Sequence, residues 1–150
     1  MVATGEDRQY SQGHIMSTSN KELVQRMFAA WSAGDVDGVC NCIGDECNGG
    51  GPEGLRRELT GFLGAFPNLS ITVEDILAED DRVATRTIMR GTHNGPLGNI
   101  PATGKDVVMR ANHIFRCSNG RIVQRHGQMD RLEVMTQLGM RLAPIDEDSM

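Results

Sequence analysis

The stretch richest in chemistry is Ala111 to Gly139, ANHIFRCSNGRIVQRHGQMDRLEVMTQLG. Two histidines, two glutamines and an aspartate fall there within two alternating runs joined by Asn119-Gly120. An Asn-Gly pair between such runs is a strong hairpin signal, because a type I′ turn needs positive φ at both central residues. A two-residue turn that pairs Ser118 with Arg121 sets His113 opposite His126 and Ala111 opposite Gln128, with Met109 level with Asp130. One face then carries Met109, Ala111, His113, Phe115, Gln124, His126, Gln128 and Asp130. Apolar groups on one strand facing an imidazole, an amide and a carboxylate on the next describe a pocket wall better than a plain core. Asp130 has two readings. It caps the helix that follows, where Asp is favoured, or it is a carboxyl group whose pKa an apolar pocket raises until it holds a proton at neutral pH. His113 and His126 have the corresponding choice between hydrogen-bonded strand residues and pocket groups. A metal site of His113, His126 and Asp130 would demand a convergence that strand separation opposes.

Positioning these groups requires a folded frame, and 150 residues suffice for one domain with a real core. Hydrophobic residues make up 39%, but aromatics only 4%, so packing leans on aliphatics and the nine methionines. A net charge of −5, with 13 scattered Arg and two Lys, gives nucleic acid no basic patch. No apolar run approaches the roughly 20 residues of a membrane span, and the N-terminus lacks a signal-peptide core. The expected compartment is the cytoplasm, with Cys40, Cys42, Cys47 and Cys117 as reduced thiols. Their spacing lacks the paired ligand motifs of a zinc site.

Residues 1–16 show no consistent period and are expected to be a disordered tail or extension, with the domain over 17–142 and a second tail over 143–150. Ser19 and Glu22 form a capping box for a first helix with Leu23, Val24, Met27, Phe28, Ala30 and Trp31 on one stripe. Gly34 ends it, Asp35 caps a shorter helix, and GDECNGGGPEG is a glycine-rich loop without the Gly-Lys-Ser/Thr of a phosphate loop. A third helix starts at Pro52, buries Leu55, Leu59, Phe62, Leu63 and Phe66, and stops at Pro67. The period then becomes alternating. Strands are expected from Leu69, over 82–93 and over 107–117, with 95–104 as a Gly/Pro-rich loop. Helices followed by strands give α+β, with helices on one face of an antiparallel sheet.

The blocks N-K-E-L-V (20–24), A-W-S-A-G-D (30–35), G-P-E-G-L-R-R-E-L (51–59), D-R-V-A-T-R (81–86), R-G-T-H-N-G-P-L (90–97), I-P-A-T-G-K (100–105), H-I-F-R (113–116) and G-Q-M-D-R-L (127–132) resemble the SnoaL-like polyketide cyclase family across residues 19–139. The resemblance implies a cone-shaped α+β barrel, its curved antiparallel sheet wrapped around N-terminal helices as in ketosteroid isomerase and nuclear transport factor 2. It implies intramolecular aldol closure of a hydrophobic carbonyl substrate without metal or cofactor. The family's acid/base aspartate maps to Asp130, and the inward histidine of the preceding strand maps to His113. Contact between the two would need a bend after Gly127, since Asp130 lies beyond the Gln128–Ala111 pair. Asn48 falls where relatives carry a polar pocket residue, with turn-former as its alternative. Gln128, His126, Thr87, Phe28, Trp31, Phe115 and Met109 complete the candidate substrate wall, the aromatics having core packing as their other role. Thr87 and His126 replace aromatics common in relatives, implying a roomier, more polar pocket.

Deprotonating a carbon acid while protonating a carbonyl oxygen needs one positioned proton carrier. Cofactor-free hydroxylation through the substrate's own carbanion, or ligand binding without chemistry, are the alternatives for the same pocket. The resemblance also implies a homodimer or homotetramer paired through the sheet.

Overall fold

Leu23, Val24, Met27 and Phe28 recur at helical spacing and are all buried, which fixes the inner stripe of α1 (Gly5–Ser32). The computed structural model describes residues 5–146, and the outermost ends of both expected tails, 1–4 and 147–150, lie outside the described residues. Within them α1 passes unbroken through Ser19 and Glu22, so the capping box does not begin the helix. Extending a nucleated helix by a turn is far easier than starting one, and the residues before Ser19 take that conformation. In the turns just before Ser19, Ile15 is 63% and Met16 56% exposed.

Gly34, at φ +72°, turns the chain out of α1. The Asp35 side chain then accepts from the Gly38 N–H at 2.9 Å and caps α2 (Val36–Cys40). Pro52 sits in the first turn of α3 (Gly51–Ala65), whose Leu55 and Leu59 are buried. Four strands follow, β1 (Ser70–Glu79), β2 (Arg82–Thr92), β3 (Asp106–Ser118) and β4 (Arg121–Met129), and then α4 (Arg131–Gln137). The strands pair antiparallel in sequence order. This is the α+β architecture expected, a curved sheet with helices packed on its inner face. No helix among the described residues is long and apolar enough to cross a membrane.

The inward residues of β2 and β3 alternate strictly: Val83, Thr85, Thr87 and Met89 face the helices beside Met109, Ala111, His113 and Phe115. Strand β4 breaks that rule. Cys117 pairs with Ile122 but Arg116 pairs with Gln124, leaving Val123 as an extra, bulged residue. Ile122 and Val123 are consecutive, apolar and both buried, which an unbroken strand could not achieve on one face.

The outer edge of β4 is occupied by the segment after α2. The Ile122 N–H donates to the Cys42 carbonyl at 2.8 Å, and the Gly44 N–H donates to the Ile122 carbonyl at 2.9 Å. Asn48 extends this clasp with its side chain, donating to the Arg125 carbonyl and accepting from the Arg125 N–H, both at 2.8 Å. Edge groups that would otherwise be free are thereby satisfied.

Candidate active site

Between the sheet and the helices lies a cavity of about 810 Å³, a size suited to a multi-ring small molecule. Met27, Trp31, Leu59, Phe62 and Phe66 line it from the helices, and Met89, Met109, Ala111 and Phe115 from the sheet. The ionisable residues in its wall are Glu58, His113, Arg125, His126 and Arg131.

His113 is held between aromatic rings. Phe115 stacks on it at 5.7 Å and 14°, and Phe28 meets it edge-on at 5.5 Å and 60°. Its Nδ1 is buried without a hydrogen-bond partner, and directly across on β2 the Oγ1 of Thr85 is also buried and unpaired. Burial of the ring is the main force on its titration. Together with the nearby Arg125 cation, and against the weaker pull of Glu58, it lowers the pKa from 6.5 to about 4. At neutral pH the imidazole is therefore uncharged and able to accept a proton.

The residue across from His113 on β4 is Gly127, not His126. The bulge at Val123 moves β4 by one residue, and because side chains alternate, every position beyond it changes face. Arg125, Gly127 and Met129 thus join Phe115, His113 and Ala111, whereas Gln124, His126 and Gln128 lie level with Arg116, Ile114 and Asn112. Glycine at 127 is what lets the imidazole lie over the neighbouring strand: a Cβ there would stand 2.7 Å from His113 Cδ2.

Several expected roles change accordingly. His126 and Gln128 border the cavity along β4, but both are exposed and face away from His113. Asp130 is exposed at the N-cap of α4, where its Oδ1 accepts from the Glu133 N–H at 2.9 Å, and it does not line the cavity. It stands instead in a shallow cleft with Arg86, Arg110 and Gln128. Gln128 and Met129 separate it from Gly127, the partner of His113, so the expected His113–Asp130 contact is absent. His113, His126 and Asp130 therefore do not converge.

Asn48 is exposed and committed to the backbone of Arg125, which leaves it no place in the wall. Thr87 is fully buried, donates to the Ala111 carbonyl at 3.3 Å and does not line the cavity. Phe28 is 2% exposed and lies behind the wall, stacked on Trp31 and edge-on to Phe115. Trp31, Phe115 and Met109 do line the cavity.

The cap at Asp130 gives a direct test of its role. Asn caps a helix about as well as Asp, whereas Ala costs about 1 kcal/mol. Asp130→Asn is expected to keep both thermal stability and turnover within about twofold of the parent, and Asp130→Ala to lower stability by that amount. Thermal melts and turnover assays on both variants check this, and a folded but inactive Asp130→Asn would return the proton-carrier role to the carboxylate.

Sequence reading missed the most polar feature of the wall, the pair of Arg125 and Glu58. Arg125 Nη2 donates to Glu58 Oε2 at 2.7 Å and Nη1 lies 3.5 Å from Oε1. Glu58 follows Leu55 by three residues and precedes Leu59 and Phe62 on α3, so it flanks that helix's buried stripe, a signal present in the sequence. Arg125 was hidden by the bulge. Leu97 and Gly98 also reach the cavity, from the loop expected over the sheet end, whose base closes through His93 N–H to the Lys105 carbonyl at 2.8 Å.

The family model for SnoaL-like polyketide cyclases matches residues 21–138. Aklanonic acid methyl ester cyclase DnrD of Streptomyces peucetius is 30% identical over 130 residues, covering 79% of this chain and 89% of that protein. DauD of Streptomyces sp. (strain C5), with the same described activity, is 30% identical over 79% of this chain and 80% of its own length. Among solved structures, AclR of Streptomyces galilaeus, a candidate hydroxylase, superposes with a TM-score of 0.75 at 26% identity, covering 82% of this chain and 97% of AclR. IdmH of Streptomyces antibioticus, a candidate polyketide cyclase, gives a TM-score of 0.70 at 26% identity, covering 81% of this chain and 99% of IdmH. With the family match spanning the cavity walls from α1 to α4, the chain belongs to the SnoaL-like polyketide cyclase family.

Proposed function

We propose that this protein closes a ring in a hydrophobic polycarbonyl compound by intramolecular aldol addition, with His113 as the proton carrier. The observation that carries this reading is an uncharged imidazole in the wall of a largely apolar cavity, clamped by Phe28 and Phe115. The imidazole takes a proton from a carbon between two carbonyl groups. The resulting enolate carbon attacks a ketone carbon of the same molecule, forming the C–C bond as that carbonyl's π bond opens to an alkoxide. The imidazolium returns its proton to the alkoxide, and the histidine is neutral again. Its low proton affinity makes the return step favourable, while the acidity of a 1,3-dicarbonyl carbon keeps the first step within reach of a weak base.

Aklanonic acid methyl ester, the compound named for the relatives DnrD and DauD, is the natural first substrate. Incubated without oxygen, it is expected to give a product of unchanged mass and one more ring, followed by mass spectrometry and absorbance. A second reading, hydroxylation of the same class of carbanion by oxygen, is favoured by the likeness to AclR. There the carbanion adds O2 to give a hydroperoxide, which loses water to leave a carbonyl on that carbon, so the product gains one oxygen atom and loses two hydrogens and oxygen is consumed; anaerobic closure therefore decides between them.

A further inference from the structure

Among the described residues, three that line the cavity carry a buried polar atom with no hydrogen-bond partner: Trp31 Nε1, His113 Nδ1 and Arg125 Nε. The indole and guanidinium nitrogens are obligate donors. A buried, unmatched donor on a cation is unfavourable unless something accepts from it. Arg125 is the more telling of the two. It enters the cavity on the same face as His113 only because of the bulge at Val123. Each terminal nitrogen gives one N–H to Glu58, which fixes the plane of the guanidinium and leaves a second N–H on each for a ligand in the cavity. Asn48 anchors its backbone from the other side, at both N–H and carbonyl. Gly49, at φ +83°, gives the head group room, since a Cβ there would lie 2.9 Å from Nη2.

From this geometry we infer that Arg125 holds the enolate oxygen of the substrate on its guanidinium, so that the cavity selects carbonyl compounds in their ionised, enolic form. The inference rests on the proposed ring closure and deepens it: His113 moves the proton and Arg125 receives the charge that this creates. The Glu58 carboxylate pairs with the cation and holds it in place. Its other consequence is to moderate the pull on the anion, so that product can leave. A charge-assisted bond from a rigid donor to a developing oxyanion acts most strongly where water is excluded.

The test is a binding measurement that needs no turnover. The ligand 2-hydroxy-1,4-naphthoquinone is an enolate at neutral pH, and 2-methyl-1,4-naphthoquinone is a neutral molecule of nearly the same shape. Titrated at pH 7 by fluorescence or calorimetry, the wild-type protein is expected to prefer the anion by roughly ten- to a hundredfold, the range for a hydrogen bond to a charged group. Arg125→Gln should abolish that preference while the neutral quinone binds as before. Glu58→Gln, which keeps the arginine and removes the competing carboxylate, should increase the preference several-fold. Absence of a preference in the wild type, or its survival in Arg125→Gln, would overturn the inference. If Arg125→Gln loses the neutral quinone as well through misfolding, Glu58→Gln decides: an unchanged preference there counts against the enolate anchor. Failure of the ring-closure assay with the anion preference intact would reject the proposed reaction and leave this site standing.

Discussion

Replacing His113 with Gln is expected to lower the rate of ring closure by about a hundredfold or more, the lower end of what a positioned proton carrier contributes. Glutamine keeps a polar group of similar reach but does not titrate. Affinity for a non-reacting quinone should change little, which separates loss of chemistry from loss of the cavity. The pH dependence gives an independent check. The folded-state pKa of His113 is about 4, below the ordinary 6.5, so the reactive, neutral form persists down to that pH. Activity should fall as pH drops through about 4, not through 6.5. Stability follows the same sign. The unfolded chain takes up a proton on this residue at a higher pH than the folded chain does. The contribution of the neutral ring is therefore complete above 6.5 and is lost as pH falls from 6.5 through about 4, amounting to on the order of 3 kcal/mol. Denaturant titrations at several pH values should show this slope in the parent and a flatter profile in His113→Gln.

Phe28→Ala is expected to cost roughly 3–5 kcal/mol, the range for deleting a buried aromatic ring. Phe28 is 2% exposed and contacts Trp31, His113 and Phe115 at once, so nothing nearby can close the gap without moving the site. The change should be visible beyond stability. Water admitted beside the imidazole weakens the desolvation that lowers its pKa, and the His113 titration followed by NMR should move up towards 6.5. A variant that unfolds earlier but keeps the histidine near 4 would place the aromatic clamp outside the causes of that shift.

Much of the frame was legible from local rules. Alternation fixed the inner faces of β2 and β3, and the caps at Asp35 and Asp130 and the start of α3 near Pro52 follow from propensities that act within a few residues. His113 lies on the inner face that alternation expects for it, among apolar neighbours. What escaped was non-local. The pairing of His113 with Gly127 depends on where β4 is pinned by the Cys42–Gly44 backbone, and no residue next to Val123 announces it. The role of Asn48 as a clasp on β4 is a contact across 77 positions of sequence. The helical turns before Ser19 were missed for a different reason, because a capping box marks a place where a helix can begin and does not forbid one that has begun already.

Strand β4 is also a message with two reading frames. In the frame set by Val123, the cavity receives Arg125, Gly127 and Met129: a cation, a space and a thioether. In the other frame it would receive Gln124, His126 and Gln128, two amides and an imidazole, from the same nine residues. Deleting Val123 would straighten the strand and leave Arg125, Gly127 and Met129 facing the cavity, whereas losing the bulge with all nine residues kept would exchange one set for the other. The presence or absence of this one bulge is therefore enough to rewrite the chemistry of the cone in one step, with the helices and the other three strands left as they are.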